Sequence, residues 1–291
     1  MNMPPPSTNP ANQNVFYYPD FYQVSFIEDG GIQKMNALDL AIERKLGHAL
    51  IFQSQYTWAK NMTDAGDDYE VNATALNTLN PYSRSLDMAN VPYNPRHRWV
   101  TSASYDLPFG SGKRYGSGSS PLLNGVFGGW QLSSIFVWQT GRFLTPIVGG
   151  VDPTNNRSIT TGQVRPDCLG NPNLSNPTPT DWFNESVFAL PAAGTYGTCG
   201  RGIIVGPGIV NLNLGLRKTF KLSERAKFQV RATASDALNH PLFSTPGNYG
   251  LVEVISSTNG NQLTSTPGST DNRGSFGAGY RIIEVGGRID F

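Results

Sequence analysis

Few residues in this chain have the type and spacing to do chemistry. The three histidines are His48, His97 and His240. A Ser-His-Asp site needs a positioned base beside an exposed nucleophile, and no Gly-x-Ser-x-Gly elbow occurs. Histidines scattered over turns and strand ends are the simpler reading, so no catalytic residue and no enzyme are expected. Asp64, Asp67, Asp68 and Glu70 stand close enough to suggest calcium. Their spacing lacks the Asp-x-Asp-x-Asp-Gly order of an EF-hand, which favours a solvated loop. Gly110-Ser111-Gly112-Lys113-Arg114 suggests a phosphate loop. Leu107 stands where that motif puts its first glycine and Arg114 replaces its Ser/Thr, so a turn is expected instead.

Cys168 and Cys199 are the only cysteines. Two cysteines alone make no zinc site, and neither a metal nor a cofactor is expected. Both lie in one Gly/Pro/Asn-rich segment, where a disulfide would suit an oxidising exterior. The bridge is the expectation, with two unpaired thiols the alternative.

The elements that would position these residues are strands. The stretch from Val210 to Asn239 puts Leu212, Leu214, Leu216 and Phe220 on one parity and Asn211, Asn213, Arg217 and Thr219 on the other. After a short polar turn the pattern resumes, with Phe228, Val230, Ala232 and Ala234 against Lys227, Gln229, Arg231 and Thr233. Period two is the strand repeat. Each arm runs about ten residues, the length a tilted strand needs to cross a bilayer. Leu38, Leu40, Ile42 and Leu46 repeat the theme, a turn at Gly47-His48 follows, and Leu50, Phe52, Tyr56 and Trp58 return. Further strands are expected at Arg98–Leu107, around Trp130–Trp138 and over Ile283–Phe291. Residues 16–27 are aromatic-rich, either an extended loop or a partial strand. The expected fold is all-β, an antiparallel transmembrane β-barrel, partial, of about seven or eight long strands with long outer loops.

Composition fits this reading. The chain of 291 residues is 38% hydrophobic and 15% charged, with 32 Gly and 21 Pro. The charged share is below the soluble average of about 25%. A net charge of +1 offers no electrostatic case for nucleic acid. Met1 to Asn14 has neither the basic start nor the apolar core of a signal peptide. An outer-membrane placement would then make the chain part of a longer precursor.

The connections alternate in length. Those at 47–48, 108–128 and 222–226 are shorter, and those at 61–95, 140–208 and 240–277 are longer. Outer-membrane barrels keep short turns in the periplasm and long loops outside. This gives every strand a direction. Trp58, Trp99, Trp138 and Tyr280 then fall near the outer rim, and Tyr105, Trp130, Phe220, Phe228 and Phe291 near the inner one. Aromatic side chains favour the headgroup boundary. Asp39, Glu43, Arg217, Arg231, Glu284 and Arg288 are expected to make ion pairs in the lumen. Arg96-His97-Arg98 is expected at an outer strand end, meeting loop acids or lipopolysaccharide phosphates.

Asn36-Ala37-Leu38, Glu43-Arg44-Lys45 and Gln55-Tyr56-Thr57-Trp58-Ala59-Lys60 resemble the barrel of Oar-like TonB-dependent receptors. Arg96-His97-Arg98-Trp99, Leu107-Pro108-Phe109-Gly110 and Gly128-Gly129-Trp130-Gln131-Leu132 continue the likeness. So do Arg201, Gly206-Pro207-Gly208, Asn211-Leu212 and Ala237-Leu238-Asn239-His240-Pro241. The resemblance runs from about residue 30 onward. It implies that 35–291 is the C-terminal part of a 22-stranded barrel in the cell outer membrane, with 1–34 an extracellular loop segment. Its surroundings would be outer-membrane lipid, with upstream strands and a plug domain lying outside this chain. TonB would act only through that missing plug, and the ligand and its binding residues stay unknown. Other readings of the residues are a soluble carbohydrate-binding β-sandwich, a small complete porin and a small barrel enzyme.

Overall fold

The computed structural model describes residues 4–21, 30–47, 49–65, 79–80, 83–116, 118, 120–156, 164–223, 225–243, 251–255 and 281–291. His48, Asp67, Asp68, Glu70, Tyr280 and residues 22–27 of the aromatic stretch at 16–27 lie outside the described residues.

Alternation becomes sheet along most of the chain. A first hairpin pairs β1 (Gln33–Leu46) with β2 (Leu50–Thr63) over fourteen residues each. Gly47 closes it at φ +52, a conformation that glycine adopts without strain. A two-residue strand, β3 (Ala89–Asn90), touches the outer end of β2. Then come β4 (His97–Asp106), the short helix α1 (Pro121–Phe127) and β5 (Trp130–Gln139). Six short strands follow: β6 (Phe143–Val148), β7 (Asp167–Cys168), β8 (Asn173–Thr178), β9 (Asp181–Phe183), β10 (Phe188–Ala189) and β11 (Ile204–Val205). The chain returns to long strands in β12 (Ile209–Lys221) and β13 (Lys227–Ser235). It ends with β14 (Leu251–Ile255) and β15 (Ile282–Asp290).

The long strands form one sheet in the order β1-β2-β4-β5-β12-β13-β15, antiparallel throughout. The β12–β13 hairpin is in the register that the alternation requires, with Leu216 opposite Ala232 and Phe220 opposite Phe228. Its turn is held by Ser223, whose Oγ accepts from the Arg225 and Ala226 N–H groups. The segment at 140–208, expected as one long loop, carries the short strands instead. They build a small apolar core of Leu144, Phe183, Phe188, Cys199, Ile204 and Val252. That core gathers the connections at the outer end of the sheet into a cap. β6 sits between β11 and β14 within it.

Candidate membrane interface and its outer cap

Cross-strand register sorts every long strand into two faces. One row of partners runs Leu40, Tyr56, Trp99, Trp138 and Val210. Further along, Leu46, Leu50, Tyr105, Leu132, Leu216, Ala232 and Val285 share a row. Period two puts both rows on the same side. That side is apolar along the middle of all seven long strands, with Lys34, Asn36, Lys60 and Arg44 toward the ends of β1 and β2, and much of it is bare: Ile42 is 66% exposed and Val285 74%. A soluble domain does not leave an apolar sheet face of this size open to water.

Polar atoms on this face bond to one another. The Trp99 Nε1–H donates to Ser54 Oγ at 2.9 Å, and the Ser54 and Thr101 hydroxyls stand 2.9 Å apart. Tyr56 Oη lies 2.7 Å from His97 Nδ1. Internal satisfaction of this kind is what a hydrocarbon environment demands. His97 thus belongs to an aromatic row beside Trp138, and not to a charged cluster.

The aromatic bands take the expected places among the described residues. Trp58, Trp99 and Trp138 mark the long-loop end, with Trp99 edge-on to Phe136 at 5.5 Å. Tyr105, Trp130 and the stacked Phe220–Phe228 pair mark the other end. Trp130 and Trp138 are eight positions apart in β5. That is about 27 Å along the strand and roughly 20 Å in height after a tilt near 40°, close to the lipid-facing band of membrane barrels.

The opposite face is polar. Asp39 accepts from the Thr57 hydroxyl at 2.5 Å, and Glu43 pairs with Lys45 at 2.7 Å. Arg288 pairs with Asp290 at 2.5 Å. Of the six residues expected to make ion pairs in the lumen, Glu43 and Arg288 do so on this polar face, each with a partner on its own strand. Arg217 instead stands directly opposite Arg231.

At the outer end this polar face is covered. Ala59, Asn61, Val137 and Asn211 are buried there, while Gln53 and Gln55 lower on β2 stay exposed. Arg96 is drawn into the cap. It donates to Ala59 O and Asn90 Oδ1 and lies 5.2 Å from the centre of the Phe143 ring, in place of the expected phosphate or acid. Asp64 is buried and accepts from the Ile32 N–H, which ties β1 to β2.

Two features hold the cap together. Cys168 and Cys199 are bonded, with 4.9 Å between their Cα atoms. Cys199 is fully buried and its N–H donates to Pro166 O. The second feature is a buried ion pair that sequence reading missed. Arg165 Nη2 lies 2.6 Å from Asp87 Oδ1, and both side chains are almost wholly buried. The Leu79 N–H also donates to Asp87, while Arg165 Nη1 reaches Leu86 O. Arg201 Nη1 reaches Ala65 O and Asp87 O. Burial pushes the Asp87 carboxyl above its usual range, against the pull of Arg165 and the Leu79 N–H. Burial likewise brings Arg165 down to about 10. For each partner the loss of water outweighs the attraction of the other.

A cleft of about 620 Å³ opens in the cap, lined in part by Met62, Asn90, Phe143, Asn173 and Arg201. Its amides are committed to structure: Asn90 receives Arg96, and Asn173 bonds the Ile203 carbonyl and the Val205 N–H. The motif at 237–241 is likewise a built turn. Asp236 takes φ +47 and donates its N–H to Asn213, and Asn239 accepts from the Arg281 N–H. His240 donates its backbone N–H to Asp236 Oδ1, so its place is structural.

A single antiparallel sheet with one continuous apolar face, aromatic rims and a polar reverse side defines a membrane-spanning β protein. No helix among the described residues is long and apolar enough to cross a membrane, a fact that says nothing against crossing by strands. The chain belongs to the outer membrane beta barrel domain family, whose model matches residues 1–283. It is a protein of the outer membrane. No curated protein matches it.

Proposed function

We propose that this chain is the C-terminal part of the barrel of a TonB-dependent, Oar-like receptor that takes up a ligand across the outer membrane. The sheet edges carry this reading. β1 pairs with β2 alone and β15 with β13 alone among the described residues. Unpaired backbone groups along fourteen residues of β1 are intolerable in lipid. Additional strands would satisfy them, as in a larger barrel that can surround a plug. The sequence motifs from Asn36 to Pro241 support the same family. In this reading the long loops lie outside the cell, TonB acts through a plug outside this chain, and no step is catalytic.

The alternative of a small complete porin requires β1 to pair with β15. Expression of Met1–Phe291 alone separates the two. Inclusion bodies and no ligand uptake are expected, because both edges stay open. A monodisperse, heat-modifiable monomer that forms discrete channels in planar bilayers would overturn the fragment reading.

A further inference from the structure

The connection between β4 and β5 is not a plain turn. Ser120 caps α1, its Oγ accepting from the Leu123 N–H, and Pro121 opens the helix with a fixed φ. At the other end the Gly128 N–H closes on Asn124 O. The helix is pinned to the apolar side of the sheet. Lys218 and Trp130 are register partners on that side. Lys218 Nζ donates to Val126 O at 2.8 Å and to Gly128 O at 2.6 Å, and Trp130 Nε1 donates to Val126 O at 2.9 Å. Asn124 Oδ1 receives the Ser111 N–H, which fixes the preceding loop.

Lys218 is the one cation on the apolar side of β12. Its Nζ also lies 5.0 Å from the centres of the Trp130 and Phe220 rings. With its charge spent on the carbonyls at the end of α1, it costs the lipid-facing side little. The helix pinned by this arrangement shows bare apolar side chains. Leu122 is 84% exposed, Phe127 60%, Val126 59% and Leu123 52%. They continue the apolar band directly past its aromatic rim.

We propose that α1 is an interfacial foot, with Leu122, Leu123, Val126 and Phe127 seated among phospholipid acyl chains at the rim of the short-connection end. The occupant is lipid because the patch is continuous with the lipid-facing band and fixed to it by two band residues. Four apolar side chains at this depth add membrane contact without a spanning element. The leaflet is the inner one if the short connections are periplasmic, as the proposed function has it. Protease access from outside the cell reads that orientation separately.

The test places nitroxide labels on introduced cysteines at Leu122, Phe127 and, as a control, Gly118, in outer-membrane vesicles. A side chain at Gly118 meets open space. Collisions with oxygen and with a water-soluble nickel chelate report depth. The expected result is oxygen-dominated collision at 122 and 127, at least several-fold above the ratio at 118. Nickel-dominated collision at all three positions would overturn the proposal. A second readout covers a labelled variant that fails to fold: brominated acyl chains should quench Phe127→Trp more than the native protein, and equal quenching of the two also overturns the proposal.

Discussion

Replacing Asp87 with alanine is expected to destabilise the outer cap by about 3–5 kcal/mol, because it leaves the Arg165 guanidinium buried without its counter-charge. The effect is large for the same reason that the pair itself adds little net stability. Both groups have lost their water, and what compensates is each other, the Leu79 N–H and the Leu86 carbonyl, with the charge of Arg201 also acting on Asp87. Replacing Asp87 and Arg165 together by methionine should recover much of the loss. Susceptibility of the cap to added protease in intact outer membranes measures both. Unchanged cleavage in Asp87→Ala would contradict this account.

The pair also sets a pH dependence. The folded cap holds the Asp87 carboxyl above its ordinary value, so it binds this proton more tightly than the unfolded chain does. The contribution of this group to stability is therefore largest below the ordinary aspartate range. It falls as pH rises from that range through the raised folded value. Asp87→Asn should flatten that part of the profile.

Removing the disulfide is expected to cost the cap about 3–4 kcal/mol, from the entropy an open chain regains over a sequence separation of 31. Cys168→Ala with Cys199→Ala is the cleaner variant, since serine at the buried Cys199 would add an unsatisfied hydroxyl. The loss should show as a lower urea midpoint for cap cleavage, and reductant should reproduce it in the native protein. Full alkylation of both thiols without reductant would rule out the bridge.

Sequence made the spanning strands legible because their environment imposes a simple rule. Lipid on one side and a polar lumen on the other force period two, and Leu212, Leu214 and Leu216 obey it. β1 begins at Gln33, earlier than the alternation from Leu38 suggests. Its first residues are ordered by pairing with the outer end of β2, as in Gln33 opposite Thr63, and not by a greasy face. The cap could not be read in this way. Its strands span two to six residues, too short to show a period. They exist because a shared core, the disulfide and the ion pair hold them. Asp87 and Arg165 come from distant segments, and nothing local marks either as a partner. Helix α1 left only a Ser-Pro cap as its signal, with seven residues too few for helical periodicity. Lys218 breaks the alternation of β12, and only its carbonyl partners explain why.

The apolar face of this sheet lies against lipid, and paired arginine substitutions at one membrane depth put that placement to a direct test. Leu214 shares a row with Ser134 and Ala103 on the apolar face, and Ser102 lies one position away on the polar face of β4. The measurement is the unfolding midpoint of the heat-modifiable band in outer membranes. Leu214→Arg is expected to lose roughly 2–4 kcal/mol, as charges near the mid-plane of membrane barrels do, while Ser102→Arg stays close to the parent protein. Equal tolerance of the two arginines, or greater damage at Ser102, would contradict the account.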